Sequence, residues 1–140
     1  MELDLNIIAP LITMQAVIPI MRKQSAGSIV NVSSGIIFSA LPNTGAYSAS
    51  KSGLAMLSGV ARAELATAGI QVSTMYPFIT ATDFIKSIKA GRESASHMES
   101  SHAPQPQKPE LVAEKIIELI RTGDERADLV SEKFGGSFKG

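Results

Sequence analysis

The stretch Ser28-Ile29-Val30-Asn31-Val32-Ser33-Ser34-Gly35 decides the fold of this 140-residue chain. Its core is β-branched and mostly apolar, it is too short for a helix, and it lies between Gly27 and Gly35. This pattern predicts a central strand of a parallel sheet. Two serines end the strand at its carboxyl end, which is the edge where open α/β sheets bind ligands. A functional site is therefore expected beside these serines.

A long helix and a second strand follow this stretch. The segment 46–68 is predicted to be a helix, and it contains Tyr47 and Lys51. The run 70–75 is again β-branched and apolar, and Tyr76-Pro77 closes it. The order strand, helix, strand implies a right-handed crossover between parallel strands. The predicted fold class is therefore α/β.

The N-terminal segment 3–23 is apolar at most positions, which predicts a helix buried over most of its circumference. Pro10 lies inside this segment. Because proline has no N–H and its ring pushes away the carbonyl four residues earlier, the main-chain carbonyl of Asn6 should be free. Two prolines, and the lack of a basic region and a cleavage site, argue against a signal peptide or a membrane span.

The last third of the chain changes in composition. The segment 89–108 is rich in Ser, Glu, His, Gln and Pro without an apolar period, which predicts a mobile lid or loop. A further helix is predicted to begin at Pro109 and to end before Gly123. The run 127–131 can form a short last strand. We therefore expect about three parallel strands with helices on both faces.

Composition excludes several classes of function. Thirteen basic residues balance thirteen acidic ones without a block of either sign, so neither nucleic acid nor an anionic membrane is expected as a partner. The absence of cysteine excludes disulfides and thiolate metal sites and fits a cytoplasmic protein. His97 and His102 are poorly spaced for one helix face, so no metal site is expected. The length predicts a single domain over 1–140.

Tyr47 and Lys51 are the candidate chemical pair, because residues four apart share one face of a helix. An ordinary phenol keeps its proton at neutral pH. A cation about 4 Å away, in an effective dielectric of about 20, stabilises a phenolate by about 4 kcal/mol. The spacing therefore allows Tyr47 to act as an acid or base. Tyr-x-x-x-Lys alone is a weak pattern that a solvated helix face also produces.

Taken together, these residues resemble the short-chain dehydrogenase/reductases, oxidoreductases that move a hydride between a nicotinamide cofactor and an alcohol or ketone. The resemblance rests on three runs: Tyr47-Ser48-Ala49-Ser50-Lys51, Asn31-Val32-Ser33-Ser34 and Asp4-Leu5-Asn6. It covers nearly the whole chain, but only the second, catalytic half of the family's domain. It implies a partial Rossmann-like, doubly wound parallel sheet that lacks the N-terminal half.

The resemblance also implies roles for four residues. Tyr47 would donate or accept the proton on the substrate oxygen, and Lys51 would make the phenol more acidic while holding the nicotinamide ribose. Ser34, thirteen positions before the tyrosine, would hydrogen-bond the substrate oxygen. The Asn6 carbonyl would hold a water that links Lys51 to solvent, although Asn6 can also be an ordinary helix cap. Ser33 is interpreted as a strand-end hydrogen-bonding residue.

A cofactor motif is expected after the second strand, where the family has Pro-Gly-x-Val/Ile/Thr-x-Thr. The sequence here is Pro77-Phe78-Ile79-Thr80-Ala81-Thr82, with Phe78 in place of the glycine. The resemblance implies that Pro77, Thr80 and Thr82 bind the cofactor, and the two threonines fit a plain turn equally well. No Gly-x-x-x-Gly-x-Gly follows a strand. Most of the adenosine and pyrophosphate site is therefore expected to be missing, and NAD and NADP are not distinguished.

Two functions remain open. The first is an NAD(P)-dependent oxidoreductase acting on a small alcohol or ketone, with a proton relay of Tyr47, Lys51, Ser34 and Asn6. Because the nucleotide-binding half is missing, the 140-residue chain by itself is expected to be inactive.

The second function is that of a non-catalytic truncated remnant that acts as an oligomerisation module. Helices 3–23 and 46–68 would then form the interface of a homo-oligomer, helped by the many small residues of the second helix. In either case the outer edge of the strand 28–33 is expected to be unpaired and to be covered by another chain.

Overall fold

The computed structural model describes residues 3–78 and 106–139. The predictions for Thr80, Thr82, His97 and His102, and for most of the segment 89–108, concern residues outside these ranges. The described residues form one three-stranded sheet with helices on both of its faces.

All strand pairs in the sheet are parallel, and the strand order is β1-β2-β3. The strands are β1 (Gly27–Val32), β2 (Ile70–Tyr76) and β3 (Arg126–Asp128). Val32 lies opposite Met75, and Tyr76 lies opposite Asp128. The carboxyl ends of the three strands therefore meet at one edge, called here the carboxyl edge. The last strand ends at Asp128, earlier than the predicted Ser131.

Helices cover the sheet from both sides. α1 (Ala9–Gln24) and α2 (Gly45–Leu65) lie on one face, and α3 (Pro109–Thr122) lies on the other. Neighbouring residues of β1 point to opposite cores, since Ile29 packs with Met14 and Val72 while Val30 packs with Met75 and Leu119. The predicted α/β class, with helices on both faces of a parallel sheet, is confirmed.

A π-helical turn, Asp4–Ile8, precedes α1. In this turn the N–H of Ala9 donates to the carbonyl of Asp4, five residues earlier. Pro10 gives the physical reason, because it has no N–H for the Asn6 carbonyl and its ring needs the extra space of a wider turn. The sequence predicted the disturbance at Asn6 but not the π-helical turn that results from it.

The first helix is much more exposed than the sequence predicted. In the helix Asp4–Gln24, all of which is described, Met14 is the only buried residue. Leu5 and Ile12 are 73% and 59% exposed. The prediction of burial over most of the circumference is wrong for the described chain, because the sheet and α2 cover one side of the helix and no described residue covers the other.

This helix is also, by length and composition alone, the one described segment that could cross a membrane. That property is weak evidence, because core helices of soluble proteins and signal sequences share it.

β1 is an edge strand within the described part of the chain, since it pairs with β2 on one side and with no described strand on the other. Among residues 3–78 and 106–139, this edge of β1 is therefore open. A groove of about 350 Å³ runs along it, lined by helix residues such as Leu5 and Val17 and by Ile29 and Asn31 of the strand. Coverage of this edge by another chain stays a prediction.

Arg62 of α2 joins two parts of the fold. Its guanidinium donates to the carbonyl of Val72 in β2 at 2.7 Å and to the carbonyl of Gly123, just after α3, at 2.9 Å. Gly123 is buried, and Val72 is 1% exposed. One half-buried cation thus bonds to carbonyls in two different parts of the fold.

We predict that Arg62→Met lowers the free energy of unfolding by about 2–3 kcal/mol, because both carbonyls lose a charged donor. Arg62→Lys should be intermediate, since an ammonium lacks the planar fork that reaches two acceptors. Urea unfolding followed by circular dichroism measures the effect. Arg121→Met, at an exposed position of α3, is the control, and an equal loss in both Met variants would contradict the role of Arg62.

Candidate active site

The two serines after β1 have different environments. Ser33 is 2% exposed, and its hydroxyl donates to the carbonyl of Lys51 at 2.8 Å. Ser34 is partly exposed and begins the 3₁₀ turn Gly35–Phe38, where its hydroxyl oxygen accepts the N–H of Ile36 at 3.2 Å. The hydroxyl proton of Ser33 is therefore engaged within the fold, as the sequence interpretation held. Ser34 is the serine that a ligand could reach.

Lys51 is held against the end of β1. Its amino group donates to the carbonyl of Val32 at 3.1 Å and lies 5.9 Å from the centre of the Tyr47 ring. The prediction that Tyr47 and Lys51 share one face of the helix is thus confirmed. Burial lowers the pKa of Lys51. An ammonium has three donors, so two remain for a ligand after the bond to Val32.

Asn6 reaches α2 through a residue that the sequence analysis did not select. Its side-chain amide donates to the hydroxyl of Ser50 at 2.9 Å, and this hydroxyl donates to the carbonyl of Tyr47 at 2.7 Å. Ser50 is completely buried. The signal available in the sequence was that Ser50 directly precedes Lys51 in the helix.

The turn after Ser34 is locked to the end of β2. The N–H of Gly35 donates to the carbonyl of Pro77 at 2.8 Å. A Cβ on Gly35 would collide with Val130 and lie 3.2 Å from both the Phe78 ring and the Pro77 carbonyl. Only glycine fits this junction, which brings the candidate serine beside the first residues of the predicted cofactor motif.

Phe78, which departs from the family glycine, packs against the C-terminal segment. The ring centres of Phe78 and Phe134 are 5.4 Å apart with an angle of 37° between the planes. The hydroxyl of Ser39 also donates to the carbonyl of Phe134, at 3.3 Å. The last residues of the chain therefore form part of the carboxyl edge. The roles of Thr80 and Thr82 stay predictions, because both lie outside the described residues.

The second tyrosine has a different character. Tyr76 is 8% exposed, and its ring meets Phe38 edge to face at 5.2 Å. Burial raises the pKa of Tyr76, against the opposing effects of the Arg126 charge and a hydrogen bond from Thr74. Tyr76 therefore keeps its proton and is a packing residue.

In residues 3–78 and 106–139, no group of three acidic, histidine or cysteine side chains could hold a metal ion.

The chain is similar in sequence to known proteins. The sequence profile described as "short chain dehydrogenase" matches residues 2–93. The human protein "Dehydrogenase/reductase SDR family member 4" is 34% identical over 99 residues, which is 71% of this chain and 36% of the relative. The chain thus spans about a third of the length of that curated relative.

Solved structures share the fold. A short-chain dehydrogenase from Burkholderia cenocepacia in complex with NADP superposes with a TM-score of 0.73 at 22% identity, over 94% of this chain and 52% of that one. A "bulky-bulky ketone specific alcohol dehydrogenase" from Comamonas testosteroni gives a TM-score of 0.68 at 23% identity, over 93% and 46%. The described sheet and helices are therefore about half of a larger known architecture.

We predict that Lys51 makes stability rise with pH in one window. Its folded pKa lies below the ordinary value of 10.5, so between these two values the unfolded chain binds a proton that the folded chain has released. The free energy of unfolding must increase with pH there. Urea unfolding between about pH 8 and pH 10, below the range where Tyr76 acts in the opposite direction, measures this slope.

Lys51→Met should remove the increase. Lys23→Met, at an exposed lysine of α1, is the matched control and should keep it. An unchanged slope in Lys51→Met would show that the amino group is not desolvated.

Proposed function

Because the chain belongs to the short-chain dehydrogenase/reductase family, we propose that it carries the proton-transfer part of an oxidoreductase site for an alcohol or ketone. One observation carries the proposal. The amino group of Lys51 lies beside the Tyr47 ring and binds the carbonyl of Val32, two residues before Ser34. The candidate pair thus lies beside the end of β1, and Ser34 follows at the carboxyl edge, where α/β folds bind ligands.

Tyr47 is the proposed acid and base. In reduction its hydroxyl gives a proton to the carbonyl oxygen of the substrate, and in oxidation its phenolate takes that proton back. The amino group of Lys51 lies 5.9 Å from the centre of this ring, on the same face of the helix. Burial lowers the pKa of Lys51 itself.

Ser34 is proposed to orient the substrate. Its oxygen accepts the N–H of Ile36, which leaves the hydroxyl proton available to a substrate oxygen. The 3₁₀ turn and the bond from Gly35 to Pro77 hold this hydroxyl in place. Ser33, by contrast, donates its hydroxyl proton to the carbonyl of Lys51 and so holds the main chain of α2 beside the end of β1.

Asn6 is proposed to act through its main chain. Pro10 removes the donor that an α-helix would offer to the Asn6 carbonyl, so this oxygen can hold a water between Lys51 and solvent. Such a water would resupply protons to Lys51 and, through it, to Tyr47.

NAD or NADP, the cofactors of the family, would supply or accept the hydride when bound. The donors present fit its nicotinamide end, because Lys51 has two N–H groups left for ribose hydroxyls and Pro77 borders the same edge. Thr80 and Thr82 are proposed for the carboxamide and the neighbouring phosphate. The described residues contain no glycine-rich turn from a strand into a helix, the usual pyrophosphate site. They therefore fit the nicotinamide end alone.

We predict that Tyr47→Phe lowers kcat/KM by at least about 100-fold in any preparation that oxidises NADH or NADPH with a ketone, because the proton donor is lost. Absorbance of the reduced nicotinamide measures the rate. Tyr76→Phe removes the other phenol of the chain and is the matched control, expected to retain the rate within about twofold. Wild-type turnover in Tyr47→Phe would overturn the mechanism.

A second function is favoured by a specific observation, the apolar outer surfaces of α1 and α2. Ile12 and Ile20 are 59% and 58% exposed, and Met56 and Val60 are 71% and 46% exposed. No charged residue lies between Asp4 and Arg22. We propose that a second copy of this chain covers these apolar surfaces. Two copies of an uncharged surface can pack together without electrostatic repulsion. The chain would then act as an oligomerisation module.

We predict that the double substitution of Met56 and Val60 by lysine shifts the chain toward monomer, since two charges on the interface would have to be desolvated. Sedimentation velocity over a range of concentrations measures the association. Ile120→Lys, at a 49% exposed position of α3, is the control on the opposite face and should leave the association unchanged. A wild-type chain that stays monomeric would exclude this second function.

A further inference from the structure

Two buried serines of α2 are bonded in the same way. Their side chains are 0% and 1% exposed, and they lie eight residues apart on the face of the helix that meets the core. Each hydroxyl accepts an asparagine side-chain amide at 2.9 Å and donates to a carbonyl of its own helix at 2.7 Å. The first set is Asn6, Ser50 and the Tyr47 carbonyl, and the second is Asn31, Ser58 and the Leu54 carbonyl.

The two sets differ in what they connect. Ser58 joins the middle of α2 to β1, far along the helix from Tyr47. Ser50 joins the turn that holds Tyr47 and Lys51 to the π-helical turn Asp4–Ile8. A second contact supports this junction, because a Cβ on Gly53 would lie 2.7 Å from the end of the Ile7 side chain. The π-helical turn therefore rests directly on the part of α2 that carries the candidate pair.

We propose that Ser50 is a positioning residue, whose hydroxyl fixes the main chain at Asn6 relative to Tyr47 and Lys51. The inference rests on the proposed function and adds a residue to it. Pro10 removes one backbone bond from the helix next to Asn6, so the main chain there has lost a restraint. The bond from the Asn6 amide to Ser50 supplies a restraint in its place. The same hydroxyl also donates to the Tyr47 carbonyl. One oxygen therefore fixes the positions of Asn6 and Tyr47 relative to each other.

The similarity of Ser58 makes a sharp experiment possible. Ser50→Ala and Ser58→Ala each remove one hydroxyl with the same burial, the same number of hydrogen bonds and nearly the same distances. A merely structural role predicts that the two variants behave alike. A positioning role predicts that they differ at the candidate site although their stabilities fall by similar amounts.

The readouts are made by NMR on the full chain without cofactor. Ser50→Ala is expected to shift the carbon resonance of the Asn6 carbonyl and the ring resonances of Tyr47. It should also raise the titration midpoint of the Lys51 amino group by about half a pH unit or more, as water gains access to it. Ser58→Ala should change neither. Equal effects of the two variants, or no effect of Ser50→Ala on these signals, would overturn the proposal.

A second variant keeps the proposal testable if Ser50→Ala does not fold. Asn6→Ala removes the donor but leaves the bond from Ser50 to the Tyr47 carbonyl, and it should move the Lys51 midpoint in the same direction. In the double variant the shift should be no larger than in Ser50→Ala alone, because both substitutions break one connection. Additive shifts would contradict a shared connection.

Failure of this inference is separable from failure of the proposed function. The NMR readouts need no turnover, whereas the role of Tyr47 is tested by the rate of Tyr47→Phe. In a preparation that turns over, Ser50→Ala should lower kcat about tenfold with little change in KM, as expected for a misplaced catalytic group. Ser58→Ala should stay within about twofold of the wild-type kcat. Equal rates in the two serine variants would also overturn the positioning role.

Discussion

The parallel pairing of β1 with β2 is the constraint on which the candidate site depends. Because the strands run in the same direction, their carboxyl ends lie side by side, and the turn after Ser34 bonds directly to Pro77. Parallel strands also need a crossover, and here α2 provides it. The helix that must exist to connect the strands is thus the one that carries Tyr47 and Lys51. The crossover connection and the candidate catalytic pair are therefore both parts of α2.

Polar side chains hold this crossover helix in an otherwise apolar core. The hydroxyl of Ser33 binds the Lys51 carbonyl, Ser50 and Ser58 each bind an asparagine, and Arg62 binds the Val72 carbonyl. Apolar contacts are tolerant of small rotations, whereas a hydrogen bond loses strength when its distance or angle changes. The depth and rotation of α2 are therefore set more closely than packing alone would set them, as a site with a fixed tyrosine and lysine requires.

The sequence allowed prediction of those features that depend on local patterns. β-branched runs identified β1 and β2, and the spacing of Tyr47 and Lys51 placed them on one helix face. Features that depend on distant partners could not be predicted. The burial of Ser50 requires knowing that Asn6 packs against α2, and the exposure of Ile12 depends on what covers the helix, which hydrophobicity does not state. Proline chemistry pointed to Asn6, but the choice between a kink and a π-helical turn depends on packing.

The contact between Phe78 and Phe134 has a consequence for the order in which the molecule is made. Synthesis proceeds from the N-terminus, and early segments can fold before later ones emerge. Ser34, Tyr47 and Lys51 can assemble once β2 has left the ribosome, yet the aromatic contact at the carboxyl edge needs Phe134, which follows Phe78 by 56 residues. A nascent chain in which β2 has emerged but Phe134 has not would hold its reactive pair at an edge still open to water.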